Sequence, residues 1–183
     1  IIHGTTLATT ALIERKGAKV GLLTTDGFTD SLEIAYEHRF EQSDIFMQRP
    51  APLVPRHLRL GVKERLAADG SVLLPLDENC LTEQAERLRR ENVDAVALAF
   101  LHCFANPAHE RRASEILSDL LPGIPISLSS EVSPEIREYD RISTTVANAY
   151  VLPLMSGYLE RLRTDLSIAG LKAPLLLMMS SGG

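Results

Sequence analysis

Two cations, a hydroxyl and an amide recur at helical spacing within SSEVSPEIREYDRISTTVANAYV (129–151): Arg137, Arg141, Thr144 and Asn148. On one ridge of a helix they would form a wall that binds an anion or a small polar amide. The plainer alternative is a solvated face whose arginines pair with nearby Glu and Asp. Gly4-Thr5-Thr6, at a predicted helix start, offers backbone N–H groups and two hydroxyls to an oxyanion, although such residues also serve merely to begin helices. Ser180-Ser181-Gly182-Gly183 follows an apolar run and repeats the idea with more backbone freedom. It is neither a Walker loop nor GxGxxG. His102, Cys103 and His109 match no zinc spacing, so no metal site is assigned and Cys103 is expected to be structural. Asp26 and Asp30 flank a turn and read as turn residues. No Ser–His–Asp or Cys–His arrangement can be assembled, so the catalytic residues stay unknown.

These residues need elements to position them. A strand over 124–128 should lead into a helix that Ser133 caps and Pro134 opens, burying Ile136, Tyr139, Val146 and Tyr150. Its start just past a strand's carboxyl end is where open α/β sheets put ligands. Thr5 or Thr6 should cap a helix running to Lys16, with Gly17 as its stop. Val20 to Thr24 reads as a strand, and a short helix follows near 31–36. Pro50, Pro52 and Pro55 make RPAPLVPR a stiff connector between subdomains. Leu58, Leu60 and Val62 alternate, and Val72 and Leu74 answer them across Asp69-Gly70, which predicts an antiparallel hairpin. Asp77 should cap a helix carrying Leu81, Ala85 and Leu88. Ala95 to Leu101 reads as a strand buried on both faces. Asn106-Pro107 should start the next helix, Pro153 a further one, and Leu175 to Met179 is the last strand. The alternation predicts an α/β fold: a mainly parallel sheet of strands near 20–24, 95–101, 124–128 and 175–179, with helices on both faces plus the antiparallel hairpin.

Composition narrows the function. The chain has 183 residues, 45% apolar and 23% charged, which are globular values. A net charge of −5 and the absence of Trp argue against nucleic acid as a partner. Two cysteines form no disulfide framework and suit a reducing compartment. The longest apolar run is far too short for a bilayer, and no leader is recognisable, so no membrane partner is expected. Ile1 begins directly in apolar residues and Gly183 closes a turn, so both ends are expected to be cut from something longer.

The stretches HGTTLATTALIERKGAKVGLLTTDGFTDSLEI, PLVPR, ADGSVLLPLDE, LHCFANPAHERRASEIL, SLSSEVSPEIREYDRISTTVANAYVLP and the closing SSGG occur in this order. Together, over essentially the whole chain, they resemble the hydantoinase A / 5-oxoprolinase family, which includes acetone carboxylase subunits. The resemblance implies a fold similar to part of an actin-like or sugar-kinase ATPase. It implies residues 1–140 as most of the N-terminal domain, without its first strand and phosphate loop, and 141–183 as the start of the hydantoinase A catalytic domain. The implied activity, in the full-length enzyme, is ATP-dependent hydrolysis of a cyclic amide (hydantoin or 5-oxoproline), with ATP and Mg as cofactors. The alternatives are an acetone-carboxylase-type subunit and a non-catalytic α/β interaction domain. By this resemblance His3, Gly4, Thr5, Thr6, Ser180, Ser181, Gly182 and Gly183 would lie near phosphate or nucleotide. Arg137, Arg141, Thr144 and Asn148 would line the substrate cleft. This piece alone is expected to be inactive and to carry no cofactor. The implied partners are a small-molecule substrate, a second subunit of the hydantoinase B type and further copies of the chain, in the cytoplasm. Ala8-Thr9-Thr10-Ala11, Ser181 and Ala35-Tyr36-Glu37-His38 depart from the usual family residues, and the last departure leaves the substrate open.

Overall fold

A computed structural model describes residues 1–36, 41 and 43–178. In chain order the first elements are β1 (Ile2–His3), α1 (Leu7–Ile13), β2 (Val20–Thr25), α2 (Ser31–Ile34), β3 (Arg59–Val62), β4 (Arg65–Leu66) and β5 (Val72–Leu74). There follow α3 (Glu78–Arg90), β6 (Ala95–Ala99), α4 (Ala108–Leu120), β7 (Ile126–Leu128), α5 (Ser129–Val132), α6 (Glu138–Ile168) and β8 (Leu176–Leu177). The main sheet has the order β3-β2-β6-β7 and is parallel throughout. Every residue of its inner strands β2 and β6 is buried. Continuous apolar runs suit that position, because helices cover both faces. α3 packs on α4, whereas α6 packs on the sheet beside α1 and α2. The expected α/β fold, with its mainly parallel sheet and one antiparallel hairpin, is what the chain adopts.

Several details differ from expectation. The run near 175–179 does not join the main sheet: β8 pairs in parallel with β1 as a separate two-stranded sheet. The fourth main strand is instead β3, so Leu58 to Val62 is not a hairpin arm. Its Leu58, Leu60 and Val62 are buried because it lies parallel against β2. The hairpin around Asp69-Gly70 is real but shorter, pairing β4 with β5 across a bulge, and Gly70 takes the left-handed φ of 84°.

Helix ends differ too. α1 stops at Ile13, with Arg15 at φ 57° and Lys16 N–H donating to the Ala11 carbonyl over 2.9 Å, so Arg15 supplies the left-handed closing residue. Gly17 serves packing: a Cβ there would lie 2.1 Å from the Tyr150 ring. Asp77 caps α3 as expected, accepting from Cys80 N–H at 2.9 Å. Ser133 and Pro134 do not open the long helix. β7 runs into the single turn α5, the chain then extends, and α6 begins at Glu138, which leaves Ile136 exposed. Pro153 starts nothing; it lies inside α6, which continues through it for 31 residues in all. The proline costs one backbone hydrogen bond, at the point where the helix passes from its buried half (Ile142, Val146, Ala149, Tyr150) to its more exposed half. Among the described residues no helix is long and apolar enough to cross a membrane.

Candidate functional site

Parallel strands release their chains at one edge, and here that edge holds a buried polar network. The Glu110 carboxylate, on the first turn of α4 and fully buried, accepts from Phe100 N–H (2.9 Å), Ser129 Oγ (2.7 Å) and Ser130 N–H (2.9 Å). It thereby ties the ends of β6 and β7 together. Its neighbour His109 meets Glu64 through Nδ1 at 2.7 Å, and Thr25 Oγ donates to the other Glu64 oxygen. Thr25 Oγ in turn accepts from Leu101 N–H at 2.8 Å, linking β2 to the exit of β6. Cys103 lies 3.0 Å from Ser129 Oγ. Burial first, and the Glu110 charge second, push its thiol up to about 12, against smaller opposing effects of the Ser129 hydrogen bond and the Arg141 charge. A thiol so hard to ionise is no nucleophile at neutral pH. His102, which takes φ 57°, keeps its Nδ1 buried without a partner among the described residues, as does the Ser130 hydroxyl. The network clamps the sheet edge: its nucleophiles are buried and its carboxylates committed. Among the described residues, no three His, Cys, Asp or Glu side chains converge to hold a metal.

The stripe Arg137, Arg141, Thr144 and Asn148 does not form one face. Arg141 is fully buried, donating to the Glu135 carbonyl (2.6 Å) and the Phe100 carbonyl (3.2 Å) and lying over the Phe104 ring. Its Nε has no partner among the described residues. Asn148 is half-buried and donates to Ser127 Oγ at 2.9 Å. Arg137 and Thr144 are exposed, Arg137 as the residue preceding α6. Two members therefore hold α6 on the sheet and two face outward. The late helix start leaves Arg137 outside α6, and the buried apolar face of Ile142, Val146 and Ala149 carries Arg141 inward with it.

The second set lies elsewhere. His3 ends β1, its Nε2 is 2.8 Å from the Tyr158 hydroxyl, and Gly4, Thr5 and Thr6 are exposed before α1. Thr5 Oγ accepts from Leu7 N–H at 3.1 Å, while Thr6 makes no side-chain cap. β1 and β8 run in register, Ile2 beside Leu176 and His3 beside Leu177, and Met178 N–H donates to the His3 carbonyl at 2.8 Å. A Cβ on Gly4 would sit 3.9 Å from Met178 Cβ. Ser180 to Gly183 lie outside the described residues. Tyr158 is 17 residues from Arg141 on α6, about 26 Å along its axis, so the two predicted sets are not brought together. Sequence reasoning passed over Thr25, Glu64, Glu110, Ser129 and Tyr158. The available signal was a pair of acid-bearing turns after strands, in KER (63–65) and AHE (108–110), the latter read only for its histidine.

With this geometry in view, the chain matches the family model of the hydantoinase/oxoprolinase N-terminal region over residues 1–121 and the hydantoinase/oxoprolinase model over residues 141–183. It is similar to caprolactamase subunit alpha of Pseudomonas jessenii, 43% identical across 100% of this chain and 26% of that protein. The crystal structure of the ATP-dependent caprolactamase from that organism superposes with a TM-score of 0.93 at 43% identity, over 100% of this chain and 27% of that one. The 5-oxoprolinase of Saccharomyces cerevisiae is 30% identical over 98% of this chain and 16% of its own length. The nucleotide-free structure of acetone carboxylase gives a TM-score of 0.85 at 25% identity, covering 97% of this chain and 27% of that one. The chain thus spans about a quarter of the length of the first curated relatives it matches.

Proposed function

The chain belongs to the hydantoinase/oxoprolinase family, and from that premise we propose that it is part of an ATP-dependent enzyme that opens a cyclic amide. Relatives named caprolactamase and 5-oxoprolinase support this, since caprolactam and 5-oxoproline are both cyclic amides. Hydantoin is the third member of the proposed substrate class. The observation that carries the reading is the parallel pairing of β1 with β8. It ends both strands on one edge, so Gly4-Thr5-Thr6 and the polypeptide after Met178 leave from neighbouring strands.

In this reading the Thr5 and Thr6 hydroxyls and nearby backbone N–H groups donate to phosphate oxygens, and Ser180 to Gly183 are proposed as further nucleotide-binding residues. Phosphoryl transfer is catalysed mainly by positioning and charge stabilisation, which such donors supply. The Tyr158 hydroxyl holds the His3 ring in one orientation beside them. Phosphorylating an amide oxygen consumes ATP, releases ADP and makes the carbonyl carbon open to water; hydrolysis then frees the amine and inorganic phosphate. The described residues form no magnesium cage, so no step is assigned to that ion. Arg141 and Asn148 act as positioning residues for α6, and Arg137 and Thr144 are the members of their stripe open to a ligand. Residues 1–140 form most of one domain and 141–183 the beginning of the next, with α6 crossing between them. A second subunit of the hydantoinase B type, self-association and a cytoplasmic setting belong to the same proposal.

The test is ADP release by the full-length protein with its partner subunit, offered hydantoin, 5-oxoproline, caprolactam or acetone with bicarbonate. Turnover with one of the three amides is expected. Thr6→Val should lower kcat/KM about ten- to a hundredfold, the value of one charge-assisted donor. Turnover with acetone alone would assign the chain to the carboxylase branch instead.

A further inference from the structure

A cavity of about 400 Å³ opens between α2, the first turns of α6 and the proline-rich strap 49–53. The proposed phosphate chemistry does not use it. Tyr139 in its wall and Tyr158 beside His3 lie 19 residues apart on α6, about 28 Å along the axis.

Helical spacing sets Tyr139, Ser143 and Val146 on one side of the cavity, and Pro52 and Leu53 of the strap stand on the other. The strap is fastened to α2 at both ends. Arg49 Nη1 donates to the Glu33 and Ile34 carbonyls at 3.2 and 3.1 Å. Arg59, buried, donates to the Val54 carbonyl at 2.9 Å and to the Glu33 carboxylate at 2.8 Å. Tyr36 packs edge-on against Tyr139 with ring centres 4.9 Å apart, and its hydroxyl donates to Asp140. The walls are therefore built before any ligand arrives, which lowers the entropic cost of binding.

The polar groups at this cavity divide into committed and open ones. Arg59 neutralises the Glu33 carboxylate, and Ser143 Oγ donates to the Asp140 carbonyl at 3.2 Å. The Arg15 guanidinium at the rim, by contrast, has no hydrogen bond or ion pair among the described residues, and neither has the Tyr139 hydroxyl. One open guanidinium and one open phenol thus border a slot walled mainly by proline, leucine, valine and a tyrosine face.

We propose that this cavity is a second ligand site, for a small monocarboxylate whose body is a ring or a short apolar chain. The carboxylate pairs with Arg15, whose planar fork matches it, and the body lies between Pro52, Tyr139 and Val146. The volume is that of ordinary small-molecule pockets. A nucleotide fits poorly, because the two exposed arginines that line the cavity, Arg15 and the carbonyl-bound Arg49, hold a polyanion weakly without a backbone cradle. The inference does not depend on the amide-opening reading, since it concerns binding at a place remote from His3 to Thr6.

The test uses the full-length protein, with benzoate and cyclohexanecarboxylate as probes and benzamide as the neutral counterpart of benzoate, followed by ligand-observed NMR. Saturable binding of a carboxylate near about 1 mM or tighter is expected, with benzamide at least several-fold weaker. Arg15→Gln should weaken binding about tenfold, the low end for a charge-assisted contact because Arg15 is exposed and salt screens it. Ala51→Trp, at an exposed position on the strap, should close the mouth and abolish binding. Absence of saturable binding by both carboxylates, equal binding of benzamide, or wild-type affinity in both variants would overturn the proposal.

Discussion

Glu110→Gln tests whether the sheet edge is held as described. Oε1 of Glu110 serves two donors, Phe100 N–H and Ser129 Oγ, and Oε2 serves a third, Ser130 N–H. A glutamine has one oxygen, so either placement turns its NH2 toward a backbone N–H that cannot accept. One hydrogen bond to a charged group is lost, worth about 1.5–3 kcal/mol, and one buried donor is left unsatisfied, at about 1–3 kcal/mol. Relaxation makes these less than additive, so the net cost is about 2–4 kcal/mol. Because the loss is confined to the ends of β6 and β7, it should appear as easier local opening. Amide exchange at Phe100 and Ser130 in the full-length protein should accelerate about thirty- to a thousandfold, at tenfold per 1.4 kcal/mol. Glu115→Gln, on the same helix, is the control: its pair with Arg112 has the glutamate side chain 68% exposed, and its loss should leave both amides unchanged. Unaltered exchange at Phe100 and Ser130 in Glu110→Gln, or an equal effect from Glu115→Gln, would refute the clamp.

Two further perturbations address α6 and the buried thiol. Pro153→Ala restores a donor for the Ala149 carbonyl and removes a proline from a helix interior, so stability should rise by up to about 3 kcal/mol; an unchanged or lower melting temperature would mean that the proline ring packs usefully. Burial raises the Cys103 thiol from 9.0 to about 12. A group whose folded value is raised contributes stability in full below its unfolded value and loses it as pH climbs through the folded one. Alkaline unfolding between pH 9 and 12 should therefore be shallower in Cys103→Ser than in wild type, and coincident curves would count against the burial argument.

The α/β class and the strands at 20–25 and 95–99 were legible because inner parallel strands demand unbroken apolar runs, and few other elements do. The Asp77 cap was legible because its chemistry is local. Where tertiary contacts choose, reading failed. Leu58, Leu60 and Val62 alternate like a hairpin arm, but the partner that buries them is β2, more than thirty residues upstream. Ser133-Pro134 has good helix-start residues, yet the Glu110 grip on Ser130 and the Arg141 bond to the Glu135 carbonyl claim the chain around it. That displaced start also leaves Arg137 outside α6, so it no longer shares a helix face with Arg141 and Asn148. The side chains that clamp the sheet edge, Thr25, Glu64, His109, Glu110 and Ser129, come from separate turns and meet only once the strands are in register. His3 and Tyr158 are 155 residues apart, a distance no local pattern spans.

The pairing of β1 with β8 also sets an order of assembly. Ile2 and Leu176 are 174 residues apart, and long loops are closed late because the chain must give up its freedom before the contact rewards it. At about 5–20 residues per second, the ribosome takes roughly 9–35 s to travel from one to the other. By the end of that interval the main sheet can already be in place, since β2, β3, β6 and β7 are all synthesised before β8. Gly4-Thr5-Thr6 meanwhile has no neighbouring strand, so any phosphate-binding ability it has comes only after the rest of the fold is made.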